Sequence, residues 1–169
     1  MQEMNHPYFH LLLEYNTIFK ENDDLYRRMA NQFGLSDSAF WILYCLREST
    51  TPITQKQLCE SIYVSKQTIN SALKSMERNG FITLATGKDR RRKFLVLTET
   101  GQKLASQTVD RVMDQEQLAI ASMGQESMGQ LLSLFRLYTD ALKQQFQTIA
   151  SVPPAGDEPK ENSYENPVI

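Results

Sequence analysis

Apolar residues recur at helical spacing from Tyr8 to Phe33. The positions are Leu12, Tyr15, Ile18 or Phe19, Leu25 or Tyr26, Met29 and Phe33, separated by three, four or seven residues. That spacing predicts one long helix, which Gly34 can close as a C′ residue. Ser36 is a suitable N-cap for a second helix with Ala39, Ile42, Leu43 and Leu46 on one face, and Pro52 prevents its continuation. Thr54, with Gln57 three residues on, has capping-box spacing and predicts a short third helix whose buried side is Leu58 and Ile62. A fourth helix is predicted from Ser65 to about Asn79, followed by Gly80. Its two faces differ. Ile69, Ala72, Leu73 and Met76 form an apolar stripe, whereas Lys66, Gln67, Asn70, Ser71 and Lys74 form a polar one that contains no acid.

Two short runs of strand character follow, Phe81 to Thr86 and Lys93 to Thr98. The polar turn Gly87-Lys88-Asp89-Arg90-Arg91-Arg92 between them predicts a hairpin with a basic tip. Thr98 caps a fifth helix, predicted to run unbroken to about Met123, where Gly124 interrupts. A sixth helix places Met128, Leu131, Leu132, Phe135, Tyr138, Leu142, Phe146 and Ile149 on one long apolar stripe. A stripe of that length on a terminal helix needs a partner surface. From Ser151 to Ile169 prolines and acids dominate (Pro153, Pro154, Pro159, Pro167; Asp157, Glu158, Glu161, Glu165), which predicts a disordered acidic tail.

At 169 residues the chain is long enough for one compact body with an appendage. With 41% apolar and 22% charged residues it reads as a soluble globular protein, which excludes collagen-like, mucin-like and wholly disordered classes. No apolar run approaches the ~20 residues that span a bilayer, so no membrane partner is expected. Met1 to Pro7 lacks the basic and apolar regions of a secretory signal. Two cysteines cannot build a disulfide framework, and reduced thiols in the cytoplasm are the expectation.

The formal charge of −2 argues against a polyanionic partner, but the average hides an asymmetry. Between Ser65 and Lys93 stand eight bases against two acids, a local excess of six positive charges. Such clustering is the footprint of a polyanion-binding surface whatever the overall pI. Three helices followed by a basic-tipped hairpin form a winged helix-turn-helix, a mainly α fold with a small antiparallel β-hairpin and long flanking helices. An exposed helix face fits the major groove of B-DNA: Gln and Asn suit adenine, and Lys suits guanine or phosphate. Ser65 and Thr68 stand at the helix start, where hydroxyls and backbone amides can meet phosphate. Arginines in the loop suit the negative potential of a minor groove.

Residues 36–101 resemble the MarR (multiple antibiotic resistance regulator) family of bacterial transcription regulators. The matching stretches are Thr54-Gln55-Lys56-Gln57-Leu58, Val64-Ser65-Lys66-Gln67-Thr68, and Leu73 with Glu77-Arg78-Asn79-Gly80-Phe81-Ile82. Asp89-Arg90-Arg91 fits the family's Asp-x-Arg, and Leu97-Thr98-Glu99-Thr100-Gly101 its Leu-Thr-x-x-Gly. The resemblance implies a homodimeric repressor that reads an inverted repeat in double-stranded DNA. It implies an N-terminal dimerisation helix over 1–35, a DNA-binding domain over 36–98, C-terminal dimerisation helices over 99–150, and a tail over 151–169. The implied recognition-helix readers are Ser65, Lys66, Gln67, Thr68, Asn70, Ser71 and Lys74. In the wing Arg91 is the implied minor-groove arginine and Asp89 its orienting partner, with Lys88, Arg90 and Arg92 beside them. The family also implies a pocket for a small aromatic effector, for which Tyr15, Arg27, Trp41 and Tyr44 are candidate lining groups.

Two other functions use the same fold. Cys45 and Cys59 invite a thiol-based redox sensor, but both lie beside leucines and are expected to be small buried hydrophobes. A winged helix can instead contact protein, although the cationic helix face and arginine wing favour duplex DNA. His6 and His10 belong to no Cys/His cluster and predict no metal site. With no P-loop, dinucleotide glycine motif, G-x-S-x-G or H-E-x-x-H, neither an enzyme nor a cofactor is expected.

Overall fold

A computed structural model describes residues 6–62, 65–86 and 92–150. The elements are α1 (Phe9–Gln32), α2 (Asp37–Glu48), β1 (Ile53–Thr54), α3 (Gln55–Ser61), α4 (Lys66–Arg78), β2 (Ile82–Thr86), β3 (Lys93–Leu97), α5 (Glu99–Gln107), α6 (Val109–Met123) and α7 (Gln125–Ala150). Residues up to Leu118 form one compact unit, and those from Ala119 onward form a second. The predicted tail over 151–169 and the wing residues Lys88, Asp89, Arg90 and Arg91 lie outside the described residues.

Helix starts follow their capping chemistry. Ser36 accepts from the amide of Ala39, Ser65 from that of Thr68 and Thr98 from that of Gly101. Thr54 and Gln57 make the full capping box at α3. At the end of α4 the amides of Gly80 and Phe81 reach back to the carbonyls of Glu77 and Met76. This closure requires a left-handed residue, and Gly80 has φ 71°.

The first unit's core centres on α2. Phe40, Ile42 and Leu43 are fully buried, while Ala39, Trp41, Tyr44, Cys45 and Leu46 pack partly buried around them. The burial is therefore wider than the single face predicted, because α2 contacts α1, α3, α4, α5 and β3. Leu58 and Ile62 from α3, Ile69, Leu73 and Met76 from α4, and Ile82 and Leu95 from the sheet complete the core. Ala30 joins it from α1, and Ala105, Val109 and Val112 join it from beyond residue 98.

Two expectations need correction. The hairpin is part of a three-stranded antiparallel sheet of order β1-β3-β2. Ile53 and Thr54, too short a run to read as a strand, pair with Leu95 and Phe94 on the open edge of β3. The predicted fifth helix is also not continuous. It breaks at Thr108 (φ −126°, ψ −89°) into α5 and α6. The Thr108 amide bonds to Ala105, and its hydroxyl donates to the carbonyl of Leu104 at 2.7 Å. The side chain thus satisfies the acceptor that the break exposes. Apolar spacing runs on through Leu104, Ala105, Val109 and Val112 with no Pro or Gly to mark the break.

Gly101 stands where α5 meets the start of β2. A Cβ there would lie 1.8 Å from the Phe81 carbonyl oxygen and 2.8 Å from its carbon. Both are backbone atoms, so the neighbour cannot swing away. Gly101→Ala should therefore destabilise by about 2 kcal/mol or more, outweighing alanine's helix-propensity gain of about 1 kcal/mol. Denaturant unfolding checks this; an unchanged or raised midpoint would show that α5 shifts at little cost.

Candidate nucleic-acid interface

The chemistry of α4 follows from which face the core takes. Ile69, Leu73 and Met76 are buried, and Lys66, Gln67, Thr68, Asn70, Ser71 and Lys74 are exposed. Six of the seven recognition-helix candidates thus lie on this helix, and Ser65 is its N-cap. Ser65 and Thr68 are joined by a 2.7 Å bond between their hydroxyl oxygens, while Ser65 Oγ also accepts the Thr68 amide. Asn70 accepts a hydrogen bond at Oδ1 from Nε2 of Gln55, the first residue of α3.

Two grooves flank this contact. One, of about 240 Å³, is lined by Gln55, Asn70, Lys74 and Glu77 together with Leu73, Ile82, Leu84 and Leu95. The other, of about 530 Å³, lies between α3 and the base of the wing and includes Gln55, Lys56, Glu60, Arg92, Lys93 and Phe94. Arg92, the one wing candidate among the described residues, is exposed there. The sequence places Gln55 and Lys56 in a stretch that carries the family resemblance, but they are not among the DNA-contacting candidates. The available signal was their position, directly after a capping threonine in the helix preceding the basic one.

The effector candidates do not gather at one place. Trp41 and Tyr44 belong to an aromatic cluster with Tyr26 and Phe40, with ring centroids 5.1–6.5 Å apart. Tyr15 stacks on Phe19 instead, about 16 Å along α1 from Tyr26. Arg27 is engaged by Asp23 at 2.6 Å and Asp24 at 3.0 Å on its own helix. The sequence reading missed the centre of the cluster. Tyr26 and Tyr44 donate their phenol protons to the two oxygens of one carboxylate, Glu116 of α6, the Tyr44 bond at 2.6 Å. Glu116 continues the inward row of Val109 and Val112 at steps of three and four, a visible signal for an acid facing the core. Nearby, Arg47 forms a two-pronged pair with Asp110 at 2.7 and 2.6 Å.

Both cysteines are half-buried rather than fully buried, packed against the core. Burial, and secondarily Glu48, pushes the Cys45 thiol above its ordinary pKa. That is opposite to what a reactive thiolate needs. His6 and His10 are exposed, and among the described residues no group of three His, Cys, Asp or Glu could hold a metal. Among those residues no helix is long and apolar enough to cross a membrane.

Compared with known proteins, residues 33–92 match the family described as MarR family. The chain is 31% identical over 106 residues to the HTH-type transcriptional regulator YwoH of Bacillus subtilis strain 168, covering 63% of this chain and 77% of that one. In fold it is similar to a MarR family regulator from Neisseria meningitidis, NMB1585. The TM-score is 0.69 at 23% identity, over 82% of this chain and 97% of that one. It is also similar to Staphylococcus aureus MepR in its DNA complex. There the TM-score is 0.59 at 21% identity, over 77% and 96% of the two chains.

Burial is the first cause that raises the Tyr26 phenol to about 12; the hydrogen bond and charge of Glu116 add to it. Tyr44 is raised by the same causes in the same order, with smaller contributions from Tyr26 and Glu48. For a raised pKa the stabilisation is complete below the unfolded value near 10 and is lost as pH climbs through the folded value. Ultraviolet titration should show two late phenols, with stability falling between pH 10 and about 12. Glu116→Gln should bring both phenols part of the way back, burial being the larger cause. An unaltered titration in that variant would exclude the bridge.

Proposed function

The chain belongs to the MarR family of transcription regulators, which are not enzymes, and on that footing we propose that it is a homodimeric repressor reading an inverted-repeat operator in double-stranded DNA. The observation that carries the proposal is the acid-free polar face of α4, from Lys66 to Lys74, held outward by a buried apolar back. In this reading α4 enters the major groove. Gln67 and Asn70 meet base edges, Lys66 and Lys74 meet guanine or phosphate, Ser71 lies among them, and Ser65 and Thr68 meet the backbone at the helix start. From the wing Arg91 enters the minor groove, oriented by Asp89, while Lys88, Arg90 and Arg92 meet phosphates.

Two-fold pairing supplies the second helix and wing and sets half-sites about one turn, ~10–10.5 base pairs, apart. Exposed apolar surface supports the pairing. α1 exposes Leu11, Leu12, Ile18, Phe19 and Leu25, and α7 exposes Leu131, Leu132, Phe135, Phe146 and Ile149. Runs of that kind mark interaction surfaces. The site of action in this reading is the cytoplasm. For release by a small aromatic effector, the supporting feature is the cluster around Trp41 and Tyr44. A ligand there would alter the emission of the chain's lone tryptophan, and it must favour the DNA-incompetent dimer to act as an inducer. The alternative of a thiol sensor predicts rapid native-state modification of a cysteine with loss of DNA binding; slow modification of Cys45 is the expected result instead.

Selection from a random duplex pool tests DNA binding, symmetry and half-site spacing together. A symmetric site should emerge. If the dimer neutralises roughly eight to ten phosphates, log affinity against log salt should have a slope of about −7 to −9. Arg91→Ala should abolish most specific binding and leave dimerisation intact; unchanged operator affinity would remove Arg91 from the reader set. Lys66→Ala should weaken specific and non-specific duplexes alike if it meets phosphate, whereas loss at a single base pair would make it a base reader.

A further inference from the structure

Asn70 stands in the middle of the polar face of α4, about one turn after Lys66 and Gln67 and about one turn before Lys74. Its amide carries a carbonyl oxygen with two acceptor sites and an amino group with two donors. The two ends differ only by a half-turn about the last side-chain torsion, so an untethered asparagine can present either to a base. In the structure Gln55 takes up the oxygen end by donating Nε2–H to Asn70 Oδ1. The Thr54–Gln57 capping box holds the backbone of the first turn of α3, on which Gln55 stands. Both amides are exposed at the lip of the groove between α4 and the sheet. Oδ1 is therefore held toward α3, and the Nδ2 donors are the part of the amide that Gln55 does not engage.

We infer that Gln55 is a positioning residue which sets the orientation of the Asn70 amide and thereby the base edge that Asn70 accepts. With Nδ2 presented, the favoured edge is an acceptor, such as guanine N7 and O6 or thymine O4. The amino group of cytosine, which only donates, is disfavoured. The inference rests on the DNA-reading role of α4 proposed above. It adds a residue from the neighbouring helix that need not touch DNA.

The experiment takes the operator found by selection and changes it one base pair at a time. Relative affinities are measured for the full-length wild type, Asn70→Ala, Gln55→Ala, the double variant and Gln55→Glu. Asn70→Ala should lose discrimination at one base pair in each half-site. Gln55→Ala should lose about tenfold discrimination at that same pair, and the double variant should be no worse there than Asn70→Ala alone. Gln55→Glu keeps the side chain's size but can only accept. It should draw Nδ2 toward itself, turn Oδ1 outward and shift preference toward an amino edge. Its added charge weakens all duplexes alike, so ratios within the panel are the readout. Unchanged preference in both Gln55 variants overturns the inference, as does a uniform loss in Gln55→Ala, which would make Gln55 a backbone contact. A wild type that retains no duplex sinks the DNA-reading role and the inference with it. A wild type that discriminates while the Gln55 variants match it sinks the inference alone.

Discussion

The exposed polar surface of α4 depends on the burial of its other side against α2. Ile69, Leu73 and Met76 are taken out of water beside Phe40 and Leu43. Fully burying one such side chain is worth about 1.5–3 kcal/mol, so three of them match a large part of a domain's net stability. The consequence is directional. Turning α4 by 100° would expose Leu73 and drive lysines into the core, at a cost no surface contact offsets. The polar face therefore points outward because the apolar face has no alternative. The Gly80 closure and the pairing of Ile82 with Leu97 then set the strands of the wing beside it.

α6 is tied to the same core by a different kind of interaction. Val109 and Val112 are buried, but its other fastenings are polar: one carboxylate shared by two phenols, and a guanidinium fork on Asp110. Hydrogen bonds and partly exposed ion pairs are worth little net free energy, because water replaces them readily, yet their geometry is demanding. They specify where α6 lies more than they stabilise it. The Thr108 break lets this helix take its own direction after α5, with Thr108 supplying the lost backbone partner.

Much of this was legible beforehand. The caps at Ser36, Thr54, Ser65 and Thr98 and the closing glycines Gly34 and Gly80 stand where local hydrogen bonding demands them. The amphipathic face of α4 was equally plain, since a helix period and a run of cations are properties of neighbours in the chain. β1 was not legible, because two residues make a strand only when another strand's edge is already present. The Thr108 break was hidden because apolar spacing is indifferent to one residue leaving the helical region. Arg27 looked like a ligand group until its own helix supplied Asp23 and Asp24.

By itself the sequence determined the succession of the first four helices and the two hairpin strands, the capping residues that start helices, the face α4 buries and the segment that carries positive charge. These follow from periodicity, capping and charge count, which act over a few residues. Tertiary structure alone decided which side chains meet across 15 to 90 residues: Gln55 with Asn70, Arg47 with Asp110, Tyr26 and Tyr44 with Glu116. A polar side chain's partner depends on distance and angle in space, and the folded backbone sets both.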